Sequence, residues 1–241
     1  MTTVAVLGTG TMGPGIAVAF AAAGHPVLLC GRDPNRVAAA LEAADAMARL
    51  LEKEGLAGSA ADVVASIGGV SDLSQVAGAD VVVEAVTEEL ATKREVLAAV
   101  EAVIRPEALL ASNTSGLRVT DIAAPLRRRD RVVAMHFWNP AHLMPIVEVA
   151  GGEHTAADRV GEAADLVRAI GKAPVVLHHE VLGFLGTRMQ QAVVREAIAL
   201  LEAGVASAAD IDLAVRTSFG VRFPAIGPLE SADISGLDVI A

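Results

Sequence analysis

The chain has 241 residues, with 19 Lys and Arg against 29 Asp and Glu, for a formal net charge of −10; 53% of it is hydrophobic and only 2% aromatic, with no Tyr and one Trp. That apolar fraction excludes a disordered chain, and an acidic chain without stacking rings is excluded as a nucleic acid binder. The length fits one large domain, or one domain with an appendage, able to bury roughly 70% of its unfolded surface.

No apolar run reaches the roughly 18 residues of a membrane span, and the N-terminus reads straight into a strand without a leader pattern, so the expected compartment is the cytoplasm. Cys30 is the single cysteine, which excludes an intrachain disulfide. It lies in the apolar run Val27 to Cys30 and reads as a buried small hydrophobe rather than a catalytic thiol.

In the first two thirds, short β-branched runs alternate with longer alanine-rich helical patterns, which predicts parallel strands joined by crossover helices. The predicted strands are Thr3 to Leu7, Pro26 to Cys30, Ile67 to Val70, Asp80 to Val86, Leu109 to Ser112, Arg131 to His136, Pro145 to Val149 and Ala173 to Leu177. A helix is predicted from about Pro14 to Ala23. Between the second and third strands, Val37, Leu41, Ala44, Ala48 and Leu51 recur at helical spacing until Gly55 stops them. The fold class is therefore α/β, a doubly wound and mostly parallel sheet over residues 1–180.

After Glu180 the strand signals end. Met189, Val193, Ala197, Leu200 and Leu201 form the apolar face of a helix stopped by Gly204, and Ser207 with Asp210 opens a second helix as a cap and acidic partner. Residues 181–241 are thus predicted to be all-helical. Their final apolar stretch, Gly236 to Ala241, has no stop signal and points to an incomplete helical domain.

Gly8-Thr-Gly10-Thr11-Met12-Gly13 follows the first strand and opens the first helix. Glycines at those positions permit a tight turn, close approach of the backbone to a pyrophosphate, and close packing of helix on strand, so the segment reads as a dinucleotide cradle. An acid about 20 residues on ordinarily binds the NAD ribose, whereas an Arg suits NADP. Here the strand ends Cys30-Gly31-Arg32-Asp33. Gly31 replaces the acid and Arg32 follows, a reading towards NADP or dual use, unless Asp33 reaches the ribose or Arg32 faces solvent.

Ser112-Asn113-Thr114-Ser115 sits beyond the fifth strand, on the carboxyl edge where such sheets bind ligands; a helix N-cap explains it equally well. His136 ends the sixth strand and Glu148 lies one strand later, an arrangement suited to a base and the carboxylate that orients it, or to two independent loop residues.

Together these motifs resemble the L-3-hydroxyacyl-CoA dehydrogenase family: the Gly8, Gly10, Met12, Gly13 fingerprint, Glu84-Ala-Val-Thr-Glu88, Ser112 to Ser115, His136-Phe-Trp-Asn139-Pro140 and Glu148, in order from Val4 to about Asp238. The resemblance implies a Rossmann-type domain, a helical C-terminal domain forming a homodimer, and a small-molecule substrate carried on CoA or an acyl carrier protein. It implies His136 as general base and Glu148 as its partner. Ser115 would meet substrate and nicotinamide, Asn113, Glu88 and Lys93 would line the cofactor site, and Asn139 would support the histidine.

Two departures follow. The family's Gly-Phe-x-x-Asn-Arg motif reads Gly183-Phe184-Leu-Gly-Thr187-Arg188, so Thr187 stands where the catalytic Asn belongs, with one hydroxyl and a shorter reach. Trp138, the Pro140-Ala-His142 run and the Phe223 to Glu230 segment look more like the branch with L-gulonate dehydrogenase, lambda-crystallin and carnitine dehydrogenase. That branch implies a free 3-hydroxy acid as the alternative substrate, or a dinucleotide-binding protein without turnover. In it His142 meets a substrate carboxylate or is a surface histidine, and Trp138 reads as a packing residue. Arg127-Arg128-Arg129, the one basic run, is either a CoA-phosphate contact or a solvated helix end.

Overall fold

The run Val4–Leu7 is apolar throughout and every residue in it is buried, as befits a strand covered on both faces. In a computed structural model, which describes residues 1–236, it becomes β1. The sheet continues with β2 (Val27–Cys30), β3 (Ile67–Val70), β4 (Val81–Glu84), β5 (Leu109–Ser112), β6 (Val132–Phe137), β7 (Ile146–Gly151) and β8 (Ala173–Val176). The eight strands lie in the order β3-β2-β1-β4-β5-β6-β7-β8. All neighbours are parallel except β6 and β7, which run antiparallel. Strand order reverses between β1 and β4, the switch point where a doubly wound sheet opens a crevice.

Six helices cover the two faces: α1 (Met12–Ala22), α2 (Pro34–Lys53), α3 (Ala60–Ala65), α4 (Leu90–Glu101), α5 (Val119–Ala123) and α6 (Ala157–Ala169). One core gathers Ile16 and Phe20 of α1, Leu51 of α2 and Val167 of α6 against Val6, Met135 and Phe137. The other packs Leu97 of α4 and Ile122 of α5 against Leu7, Val82 and Leu110. Every residue from Gly13 to Ala21 is buried, so α1 is the innermost helix, and its Gly and Ala residues let it lie close to the strands.

Two glycines at its start are dictated by the chain itself. Gly8 has φ +126, and a Cβ there would lie 2.4 Å from the Ala85 carbonyl oxygen; a Cβ on Gly13 would lie 1.9 Å from the Gly8 carbonyl oxygen. Neither position accepts a side chain without backbone movement.

The contacts divide the chain into Met1–Leu185 and Gly186–Ala241. This division falls five residues later than the predicted boundary at 180/181. The segment after Glu180 is tied to the sheet domain: Phe184 is buried in its second core, and the Leu185 amide donates to Glu148. The second unit, described by itself, holds α7 (Gly186–Glu202), α8 (Ala208–Thr217) and α9 (Pro228–Ser235). Gly204, at φ +66, follows the end of α7, and Ser207 caps α8 by accepting the Asp210 amide at 3.2 Å. The apolar terminal stretch and the end of the motif match at Asp238 lie beyond Gly236, outside the described residues.

No helix among the described residues is long and apolar enough to cross a membrane, and they hold no group of three or more side chains suited to a metal ion.

Gly13→Ala is expected to destabilise the protein by at least about 1–3 kcal/mol, since an inserted methyl meets backbone rather than a flexible side chain. Urea unfolding checks it: the midpoint falls with an unchanged slope.

Candidate active site

The carboxyl end of β4 builds the first half of the site. Glu84, its last residue, is fully buried; its Oε1 accepts from Lys93 Nζ at 2.8 Å and from the Val86 amide at 2.7 Å, and its Oε2 from Ser112 Oγ at 2.6 Å. Lys93, fully buried on α4, also reaches Glu88 Oε2 at 3.1 Å. Glu88 in turn accepts through Oε1 from the Thr114 hydroxyl and from the Ser115 and Gly116 amides at 2.9 and 3.0 Å. One chain of ionic contacts thereby fastens the loop after β4 to the loop after β5. Partial burial pushes the Glu88 carboxyl up, but the Thr114 hydroxyl, the Lys93 charge and the Gly116 amide outweigh it and hold the group below the ordinary glutamate value.

Of the expected cofactor-site residues, Lys93 is therefore interior and acts through Glu84 and Glu88. Ser115 is exposed and its hydroxyl has no partner among the described residues. Asn113 is buried, and its Oδ1 accepts the Phe137 amide at 2.8 Å, which leaves the carboxamide NH₂ group free and ties the β5 loop to β6 beside His136. Thr114 accepts the Leu117 amide at 3.0 Å and so turns the loop, while α5 begins after Arg118 without a side-chain cap.

The second half is a cross-strand pair. Because β7 runs antiparallel to β6, Glu148 falls directly opposite His136, and His136 Nδ1 lies 2.8 Å from Glu148 Oε2. The same oxygen accepts from Trp138 Nε1 at 3.0 Å, and Oε1 accepts the Leu185 amide at 2.9 Å. A carboxylate only accepts, so Nδ1 donates to it and Nε2 is turned away from Glu148. The Phe184 ring stacks on the imidazole at a centroid distance of 5.0 Å and an interplanar angle of 27°. Phe184 holds φ +49, a left-handed conformation costly for a non-glycine residue, so the surrounding structure fixes it there.

Trp138, read from the sequence as a packing residue, and Phe184, quoted there only as part of the Gly-Phe motif, are site elements through their contacts with Glu148 and His136, and the Leu185 amide had no sequence signal beyond adjacency to that motif. Asn139, expected to support the histidine, is exposed and makes no hydrogen bond to it. Thr187 belongs to the second unit, in the first turn of α7. His142 is half-buried with Nδ1 unpartnered, and burial followed by the nearby Lys172 charge lowers its pKa. The basic run is locally engaged: Arg128 pairs with Asp130, and Arg129 donates to the Leu126 and Ala124 carbonyls.

Between the ends of β1, β2 and β4 lies a cavity of about 430 Å³, lined among others by Gly8, Gly10, Gly31, Arg32 and Val86. A Cβ on Gly10 would touch no protein atom, so nothing in the chain requires glycine there, in contrast to Gly8 and Gly13. The space is that of a ligand lying against the backbone, and the residues fit a dinucleotide. Thr11 is exposed just before α1, whose N-terminus faces this turn, and Met12 packs on the core.

These features define an oxidoreductase built on a dinucleotide-binding sheet with a histidine–carboxylate pair at its carboxyl edge. Residues 3–181 match the 3-hydroxyacyl-CoA dehydrogenase NAD binding domain and residues 183–241 the 3-hydroxyacyl-CoA dehydrogenase C-terminal domain; the chain belongs to the 3-hydroxyacyl-CoA dehydrogenase family. It is 35% identical over 237 residues to the 5-formyl-3-hydroxy-2-methylpyridine 4-carboxylate 5-dehydrogenase of Mesorhizobium japonicum, covering 98% of this chain and 76% of that one. Against the 3-hydroxyadipyl-CoA dehydrogenase of Escherichia coli K12 it is 38% identical over 239 residues, covering 98% of this chain but only 50% of that one. The L-carnitine dehydrogenase of Streptomyces coelicolor is 34% identical, with 97% and 73% covered. A crystal structure of a 5-formyl-3-hydroxy-2-methylpyridine 4-carboxylic acid 5-dehydrogenase, described as an NAD⁺-dependent dismutase, superposes with a TM-score of 0.92 at 34% identity, over 100% of this chain and 78% of that one.

Lys93→Met strands the buried Glu84 carboxylate and is expected to cost about 3–5 kcal/mol; urea unfolding of the variant beside the Glu84→Gln, Lys93→Met double variant, which recovers part of the loss, checks it. Because the folded pKa of Glu88 lies below its ordinary value, its contribution to stability is complete above about pH 4.3 and is lost as the pH falls through the lower folded value. Glu88→Gln should accordingly flatten that acid limb when midpoints are compared from pH 7 down to pH 3.

Proposed function

We propose that the protein interconverts a 3-hydroxyacyl thioester, on CoA or an acyl carrier protein, and its 3-oxo form. The observation that carries this reading is the His136–Glu148 pair, with Nδ1 held by the carboxylate, at the same sheet edge as the dinucleotide cradle. A bound nicotinamide dinucleotide, NAD or NADP, supplies the hydride chemistry. Gly8, Gly10, Thr11, Met12 and Gly13 form the turn that would hold its pyrophosphate, and Gly31 and Arg32 would border its ribose.

His136 Nε2 takes the proton of the 3-hydroxyl in the oxidising direction and returns it in the reducing one. Glu148 holds the ring orientation and stabilises the imidazolium formed in between. Ser115 Oγ and the Asn113 NH₂ group are the available donors to the substrate oxygen or the nicotinamide carboxamide. Thr187 offers a single hydroxyl in place of the family's amide. In this reading the protein works in the cytoplasm as a homodimer through its helical unit, a role supported by α7, whose Met189, Val193 and Leu201 are 53%, 38% and 45% exposed.

A free 3-hydroxy acid is the second reading. It is supported by the similarity to L-carnitine dehydrogenase and by Thr187.

Initial rates with acetoacetyl-CoA and with free 3-oxo acids, followed at the nicotinamide absorbance, separate the two. His136→Asn should lower kcat by about 10²- to 10⁴-fold and leave the Kd for reduced cofactor unchanged. An undiminished rate overturns the assigned base.

A further inference from the structure

The end of β2 departs from what an NAD ribose requires in two independent ways. Its ring-facing position is Gly31, and the room for a side chain is already taken: a Cβ there would lie 2.5 Å from Thr9 Cγ2 and 3.2 Å from Val37 Cγ2. Asp33, the nearest later acid, is used otherwise, since it is the N-cap of α2 and accepts the Asn35 amide at 2.9 Å.

Cations occupy the same wall. Arg32 and Arg36 both line the cavity, and neither guanidinium has an ion-pair or hydrogen-bond partner among the described residues. Arg36 lies in the first turn of α2, three residues after the Asp33 cap. Asp33 and Glu95 are the carboxylates among the lining residues. Two unpaired planar forks lining the cavity where ribose hydroxyls would otherwise need an acceptor suit a dianionic phosphate monoester.

Resting on the dinucleotide-binding reading above, we propose that Arg32 and Arg36 form a subsite for the 2′-phosphate of the adenosine ribose, which makes NADP the preferred cofactor. Thr9 lies over Gly31 and holds the position free of acid.

Binding titrations without any acyl substrate test it. Adenosine 2′,5′-bisphosphate should bind about ten- to a hundredfold more tightly than AMP, and NADPH more tightly than NADH by a similar factor, the effect of one or two charge-assisted hydrogen bonds. The Arg32→Ala, Arg36→Ala double variant should lose this ratio with its melting temperature retained. Arg49→Ala, which removes an exposed pair with Asp45 further along α2, should keep it. NADH binding as tightly as NADPH, or a ratio that survives the double variant, overturns the subsite while leaving the dehydrogenase reading intact. Failure of both dinucleotides to bind overturns the two together.

Discussion

Glu148 is a carboxylate with no access to water, and a buried charge persists only where donors surround it. Among its donors are the imidazole of His136, the indole of Trp138, and the backbone amide of Leu185 just past the last strand. Satisfying that charge sets the tautomer of the histidine, the orientation of the one tryptophan, and the path of the chain as it leaves the sheet domain. It also accounts for β7. That strand's antiparallel register puts residue 148 directly opposite residue 136.

The opposite side of the crevice is organised by a second buried charge, on Lys93, shared between Glu84 and Glu88. Its effect is to make two loops one rigid lip, since Glu88 also takes the amides that follow Thr114. The glycines divide their work in a comparable way. Gly8 and Gly13 are demanded by neighbouring carbonyls, whereas Gly10 is demanded by nothing in the chain, and that contrast separates the residues that build the turn from the one that serves what lies upon it.

Much of this was legible in the amino-acid order. Strands covered on both faces appear as unbroken apolar runs, and all eight emerge within two residues of their predicted positions. The fingerprint at Gly8 to Gly13 is local, so its geometry could be anticipated. What escaped depends on register and interior placement. A loop of eight residues separates β6 from β7 and does not by itself decide which residue faces His136. Lys93 carries no mark to show that it points inward between two acids rather than outward to a cofactor. Phe184, in its left-handed conformation, follows a glycine that already signals a bend, but no local rule predicts a ring stacked on an imidazole 48 positions earlier. Asp33 is the converse: Asp-Pro-Asn is a readable helix start, and the cap it forms withdraws that carboxylate from the ribose.

The near absence of aromatic residues has an optical consequence. With no tyrosine and a single tryptophan in the chain, all indole emission arises from Trp138, whose ring nitrogen is hydrogen-bonded to the carboxylate that holds His136. The protein's intrinsic fluorescence is thus a one-site signal, quenched or shifted by whatever alters the charge on Glu148 or places a second chromophore in the crevice. The spectroscopic label that other enzymes acquire by engineering is here part of the site.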